Sequence, residues 1–127
     1  MKFNKSGFTV VELLVILVVL GILISATVAA YSDWRTRTAE TEVKNDLKAA
    51  VAQLKNYRNF NNQYPSPGDF STVFKTSEGV EITDMGEVVS GSGHCLVGTS
   101  KVDSSIVFAV STDKNPEPVP GNNCNAL

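Results

Sequence analysis

Eighteen consecutive uncharged residues, Leu13 to Ala30, follow a single carboxylate, Glu12, and no other feature of this 127-residue chain narrows its fold as far. Counted from Phe8, the apolar stretch covers about 23 residues. As an α-helix at 1.5 Å per residue it would be roughly 34 Å long, enough to cross the hydrocarbon of a bilayer. Lys2 and Lys5 stand on its short side, so the positive-inside rule leaves the N-terminus in the cytoplasm and sends Tyr31 onward outside. An ionisable residue at such a segment is costly and points to function. The fold question therefore begins with what Glu12 pairs with.

A secretory signal competes with a retained anchor, because the small residues around Val28-Ala29-Ala30 could permit cleavage before Tyr31. Signal cores run about 7 to 15 residues, however, and do not carry a carboxylate in their first turns. The rest of the composition describes one ordinary globular domain, with 43% hydrophobic residues and a net charge of −2. A pI near 5.3, with cations scattered among carboxylates, leaves no electrostatic footprint for a phosphate backbone. Cys95 and Cys124 both lie in the part that the anchor would carry across the membrane. They allow one intramolecular bridge, worth roughly 3 to 4 kcal/mol in the chain-entropy model; the alternative is two free thiols.

The run Lys5-Ser6-Gly7-Phe8-Thr9-Val10-Val11-Glu12-Leu13-Leu14 resembles the class III signal of type IV pilins and pseudopilins. The resemblance implies that a membrane peptidase cuts after Gly7 and N-methylates Phe8, while the apolar helix stays on the mature protein. Glu12 then matches the family's glutamate at the fifth mature position. The chemistry can be argued independently. Cleavage leaves a cationic amine at a helix start, four positions from Glu12 and on the same face. The macrodipole favours a carboxylate there, but in an apolar bundle it still needs a countercharge against several kcal/mol of desolvation. The amine of Phe8 on a neighbouring subunit supplies one, making the pair a register pin; the alternative is a carboxylate that snorkels to the headgroups. Gly21, Ser25 and Ala29 recur every fourth residue as a small-residue stripe for close helix packing. Many family members have a proline where this chain has Ala29, so the helix is expected to be more continuous, with Gly21 its one weak point.

Beyond Ala30, Val43, Leu47, Ala50, Val51, Leu54 and Tyr57 share one helical stripe, opposite Lys44, Lys48, Ala52 and Lys55. That stripe is read as core packed on the chain's own sheet, with Glu40 and Lys44 as a surface pair. The helix should stop near Arg58 to Asn62, ahead of Pro65 and Pro67. The segment Tyr57 to Pro65, followed by Asp69-Phe70, is similar to the helix exit of major pseudopilins and many pilins. Short apolar runs at 79–82, 87–89, 95–97 and 106–110 read as strands, with turns at 90–93 and 101–105. The tail from Asn115 to Asn123, with Pro116, Pro118 and Pro120, is expected to form no packed element. A Cys95–Cys124 staple holding it resembles the C-terminal closure of many type IV pilins.

Catalytic and metal-binding patterns are weak. His94 is the only histidine, and Ser92, His94 and Asp103 have no motif around them. His94 is therefore expected to be a solvated loop residue. Asp84, Glu87 and Asp103 are oxygen donors in a region where some pseudopilins hold calcium, but their spacing matches no calcium loop. No cofactor, metal or enzyme activity is expected.

The expected fold class is α+β, a long N-terminal helix of about 50 residues packed on a small antiparallel sheet. The expected segments are a cleaved leader (1–7), a hydrophobic transmembrane and filament-core helix (8–30), an amphipathic helix (31–60), and a loop with antiparallel sheet (61–127). The implied function is a type IV pilus subunit, a single-pass membrane protein before assembly and a surface filament afterwards. The implied partners are copies of itself in a helical filament, the prepilin peptidase, the assembly platform, minor pilins and membrane lipid. Nucleic acid would be met only through the assembled filament. The alternatives are a pseudopilin of a type II secretion or DNA-uptake apparatus, and a secreted or single-span binding module.

Overall fold

The structure is a computed structural model, which describes residues 7–87, 93–113 and 116–125. The chain divides into two compact units, one ending at Arg35 and one from Thr36 onward.

One helix, α1 (Val10–Asn61), runs unbroken for 52 residues, through both Gly21 and Ala29. In the first unit the large apolar side chains of α1 are solvent-exposed, from 46% at Ile16 to 85% at Val10. The end of α1 fits its sequence. Asn62 adopts a left-handed conformation (φ 57°) and donates its N–H to the Arg58 carbonyl at 2.7 Å, a helix C-cap in which asparagine takes the place usual for glycine. A short 3-10 turn (Pro67–Asp69) and a one-turn helix α2 (Phe70–Val73) then carry the chain back across the α1 stripe.

The sheet is an antiparallel meander in the order β1 (Val80–Glu87), β2 (His94–Ser100), β3 (Val107–Ser111), β4 (Val119–Pro120). Its register puts Leu96 opposite Val110 and Gly98 opposite Phe108, so these residues share one face. That face meets Val43, Leu47, Ala50, Val51 and Leu54 of α1 in one cluster with Val80, Ile106 and Phe70. The stripe expected from helical periodicity is thus the core, and Tyr57 is its half-buried last member. Gly98 allows the close approach: a Cβ there would lie 3.0 Å from Leu47 Cγ and Val43 Cγ1. The opposite face buries Cys95, Val97, Ala109 and Cys124 as a second, smaller cluster around the Cys95–Cys124 disulfide.

Three expectations need correction. The runs at 79–82 and 87–89 are not separate strands up to Glu87: β1 is continuous from Val80, with a register shift between Asp84 and Glu87 at Gly86 (φ 79°), while Val88 and Val89 lie outside the described residues. The proline-rich tail does form an element. β4 pairs with β3 through Phe108–Pro120 and Ala109–Val119, and Gly121 N–H donates to the Val107 carbonyl at 3.1 Å. Proline is tolerated because β4 is an edge strand, where its missing N–H leaves no interior bond unmade. The third correction concerns His94, which opens β2 and is buried, only 4% exposed.

Candidate functional site

The first candidate is the N-terminal part of α1, where Thr9 and Glu12 form a reciprocal cap. Glu12 N–H donates to Thr9 Oγ1 at 3.2 Å, and the Thr9 N–H and hydroxyl both donate to Glu12 Oε2 at 3.4 Å. This is a capping box, Thr-x-x-Glu, which closes two otherwise orphaned helix N–H groups. The sequence signal was present at Thr9 to Glu12, and reading the carboxylate only as an intersubunit partner misses it. At 3.4 Å the contacts to Oε2 are long for charge-assisted bonds, so they orient the carboxylate more than they saturate it. Glu12 is thereby held in the first turn, where the macrodipole favours its charge.

The apolar run contains two hydroxyls, and both are satisfied within the helix. Ser25 Oγ donates to the Gly21 carbonyl at 2.8 Å, and Thr27 Oγ1 reaches the Ile24 carbonyl at 2.8 Å and the Leu23 carbonyl at 3.2 Å. Back-bonding of this kind lets a hydroxyl face hydrocarbon or a neighbouring helix without an unmade hydrogen bond. At Gly21 a Cβ would meet nothing within 4 Å, so the stripe presents open space. Tyr31 and Trp34 close the apolar run as an exposed aromatic pair, with ring centroids 6.0 Å apart.

The second candidate lies in the unit from Thr36 onward, a cleft of about 580 Å³ lined by Arg58, Tyr64, Pro65, Gly93, His94 and Asp113 among others. Tyr64 is its hub. Its hydroxyl accepts from Arg58 Nη1 at 3.3 Å and donates to Asp113 Oδ1 at 3.1 Å, while the guanidinium sits 5.2 Å from the ring centroid and 3.5 Å from Asp113. The hydrogen bond to Tyr64 and the nearby charges raise the Arg58 pKa further above its ordinary value. The Tyr64 ring also packs on His94, centroids 4.9 Å apart. His94 Nδ1 lies 3.1 and 3.2 Å from the two Asp84 oxygens, and the Asp84 side chain is only 1% exposed. Asp84 Oδ1 also accepts the Gly86 N–H at 2.8 Å, which ties the β1 bulge to β2.

These contacts dismantle the Ser92, His94, Asp103 grouping. The carboxylate beside His94 is Asp84, Ser92 lies outside the described residues, and Asp103 sits in the turn beyond the far end of β2. There Asp103 accepts from the Ser105 hydroxyl at 2.6 Å and its N–H at 2.9 Å, and these bonds hold its carboxyl below the usual carboxylate range. Among the described residues no three or more His, Cys, Asp or Glu side chains converge as a metal cluster. The Asp84 and Asp103 oxygens are committed to different elements, and the Glu87 side chain lies outside the described residues. The groups around the cleft are engaged with one another, an arrangement that fastens the α1 exit to the sheet.

Residues 2–28 match a family model described as the prokaryotic N-terminal methylation motif. The chain is 39% identical over 63 residues to the type II secretion system core protein G of Pseudomonas aeruginosa, covering 50% of this chain and 44% of that protein. It is 34% identical over 65 residues to the core protein G of Aeromonas hydrophila, covering 51% and 46% respectively. Over 101 residues it is 22% identical to the fimbrial protein EcpC of Eikenella corrodens, covering 80% of this chain and 66% of that protein. The chain thus spans less than half of either core protein G and about two thirds of the fimbrial protein. No solved structure gives a significant match.

Proposed function

We propose that this chain, a prepilin-like protein of the pilin and pseudopilin kind, is the structural subunit of a helical type IV pilus filament. The observation that carries the reading is an unbroken helix whose apolar side chains, from Val10 to Val28, are all exposed, in the stretch that residues 2–28 match to the methylation motif. A continuous apolar surface of this size needs lipid or other copies of itself around it. Before assembly the helix anchors the chain, with the N-terminus cytoplasmic and the unit from Thr36 onward, the outer unit of this reading, across the membrane. Cleavage between Gly7 and Phe8 and N-methylation of Phe8 free it to polymerise, with Glu12 pairing to the new amine of a neighbour and Gly21, Ser25 and Ala29 lining the helix contact. The peptidase, the assembly platform and minor pilins are the partners this reading requires.

The disulfide-closed C-terminal region and the fimbrial relative favour a surface pilus. The greater identity to two core proteins of type II secretion favours the second reading, a pseudopilin in a short secretion filament. Imaging decides between them: long filaments sheared from cells and containing this chain support the pilus, and its confinement to the membrane fraction supports the pseudopilin. Intact mass and N-terminal sequencing test both, since each requires a mature chain starting at N-methylated Phe8. A start at Tyr31 would refute both and favour a secreted module. Glu12→Val is expected to insert in the membrane normally and to assemble poorly; normal filaments from that variant would remove the pairing role.

A further inference from the structure

We propose that Tyr31 and Trp34 form a lipid-headgroup docking site that sets how deeply the unassembled chain sits in the bilayer, an inference resting on the membrane-anchored reading above. The two rings lie three positions apart on one helix face, with centroids 6.0 Å apart and exposures of 60% and 62%. They follow on Ala30, the last residue of the apolar run, and Trp34 stands among the first charges beyond it, Asp33, Arg35 and Arg37. Tyrosine and tryptophan pair an apolar body with a polar tip, which suits the boundary between hydrocarbon and headgroups better than either side of it.

Length identifies the occupant. From Glu12 to Tyr31 the helix rises by about 28 Å at 1.5 Å per residue, close to a hydrocarbon thickness of about 30 Å. One bilayer therefore meets the aromatic pair at its outer surface and Glu12 at its inner surface. The fit has a consequence for Glu12. In the unassembled chain its carboxylate lies at the cytoplasmic headgroups, held by Thr9, and does not need a countercharge. The need arises only when the helix leaves the lipid, so pairing with a neighbour's amine is favoured at the moment of extraction and not before.

Trp34 is the only tryptophan in the chain, which makes it a built-in reporter of depth. The full-length chain is reconstituted in phosphatidylethanolamine and phosphatidylglycerol vesicles carrying a quencher at the headgroup, mid-chain or chain end. The headgroup quencher should act most strongly on Trp34. Moving the reporter inward by Tyr31→Trp with Trp34→Phe, about 4.5 Å along the helix, should shift the balance toward the mid-chain quencher. Ile24→Trp with Trp34→Phe, about 15 Å inward, should respond most to the chain-end quencher. Strongest chain-end quenching of Trp34, or quenching by aqueous iodide alone, overturns the docking site even if the Ile24→Trp reporter shows a spanning helix. Trp34 quenching that falls as the protein-to-lipid ratio rises would assign the rings to a second copy, and also overturns it. An Ile24→Trp reporter untouched by every lipid quencher defeats the membrane-anchored reading itself, and the docking site with it.

Discussion

Replacing Gly98 with alanine tests the contact that joins sheet to helix in the outer unit. Gly98 lies on the β2 face that meets α1, and an added Cβ would lie 3.0 Å from Leu47 Cγ, 3.0 Å from Val43 Cγ1 and 3.2 Å from Leu47 Cδ1. Carbon atoms prefer roughly 3.5–4.0 Å, so the new methyl overlaps two branched side chains by about half an ångström or more. Leu47 and Val43 are both 0% exposed and sit within the helix–sheet core. Overpacking of this kind costs about 1–3 kcal/mol. Against it stands a gain of about 0.4–1 kcal/mol, because alanine has less freedom than glycine in the unfolded chain. At mid-range values the overlap is the larger effect, and the net loss should be about 1 kcal/mol, between bounds of roughly 0 and 2.6 kcal/mol. Amide hydrogen exchange at Leu96, Val97 and Phe108, followed in detergent-solubilised full-length protein, reads this loss within the outer unit. Leu47→Ala alone should cost about 2–5 kcal/mol by leaving a cavity. Combined with Gly98→Ala it should cost less than the sum by at least about 0.5 kcal/mol, since the new methyl enters that cavity. A stabilising Gly98→Ala, or strict additivity in the double variant, would refute the argument.

Three further outcomes are expected. Cys95→Ser opens the loop between residues 29 apart in sequence and should lower outer-unit stability by roughly 3–4 kcal/mol without changing cleavage at Gly7; unchanged unfolding under oxidising conditions would count against the staple. Asp84→Ala strands the buried His94 and the Gly86 N–H and should cost about 1–3 kcal/mol, more than Asp84→Asn, which keeps an acceptor in place; equal losses from the two would contradict this. Ser105→Ala removes the hydroxyl donor that contributes most to the lowered Asp103 pKa, so that pKa should rise toward the ordinary carboxylate value in an NMR titration. A folded-state pKa lowered in this way supplies stability above the unfolded-state value and loses it as pH falls through the folded one. The variant should therefore be slightly less stable than the parent above that acidic window and equal to it below.

Local periodicity made the helix legible. Val43, Leu47, Ala50, Val51 and Leu54 repeat at helical spacing and are all buried, and the Glu40–Lys44 pair forms at 3.9 Å as an i,i+4 contact should. The exit near Asn62 was legible for the same reason, since asparagine and the prolines beyond act on the chain nearest to them. His94 was not. Its burial depends on Asp84, ten residues earlier, being brought beside it by the β1–β2 pairing around a bulge at Gly86. Nothing adjacent to His94 in sequence announces that partner. The tail was misjudged because proline content speaks against interior strands, whereas β4 occupies an edge and is anchored by Cys124 and by the 2.8 Å Lys48–Glu117 ion pair.

By itself, the sequence determined the apolar helix, its leading carboxylate and the methylation motif, because charge, length and helical period are properties of neighbouring residues. Tertiary structure bore out the one bridge that two cysteines allow, and it alone decided that Gly98 packs against Leu47 and Val43 of α1 and that Asp84 and His94 meet. Each of those depends on pairing residues distant in the chain, and the register that pairs them is set only when the sheet closes on α1.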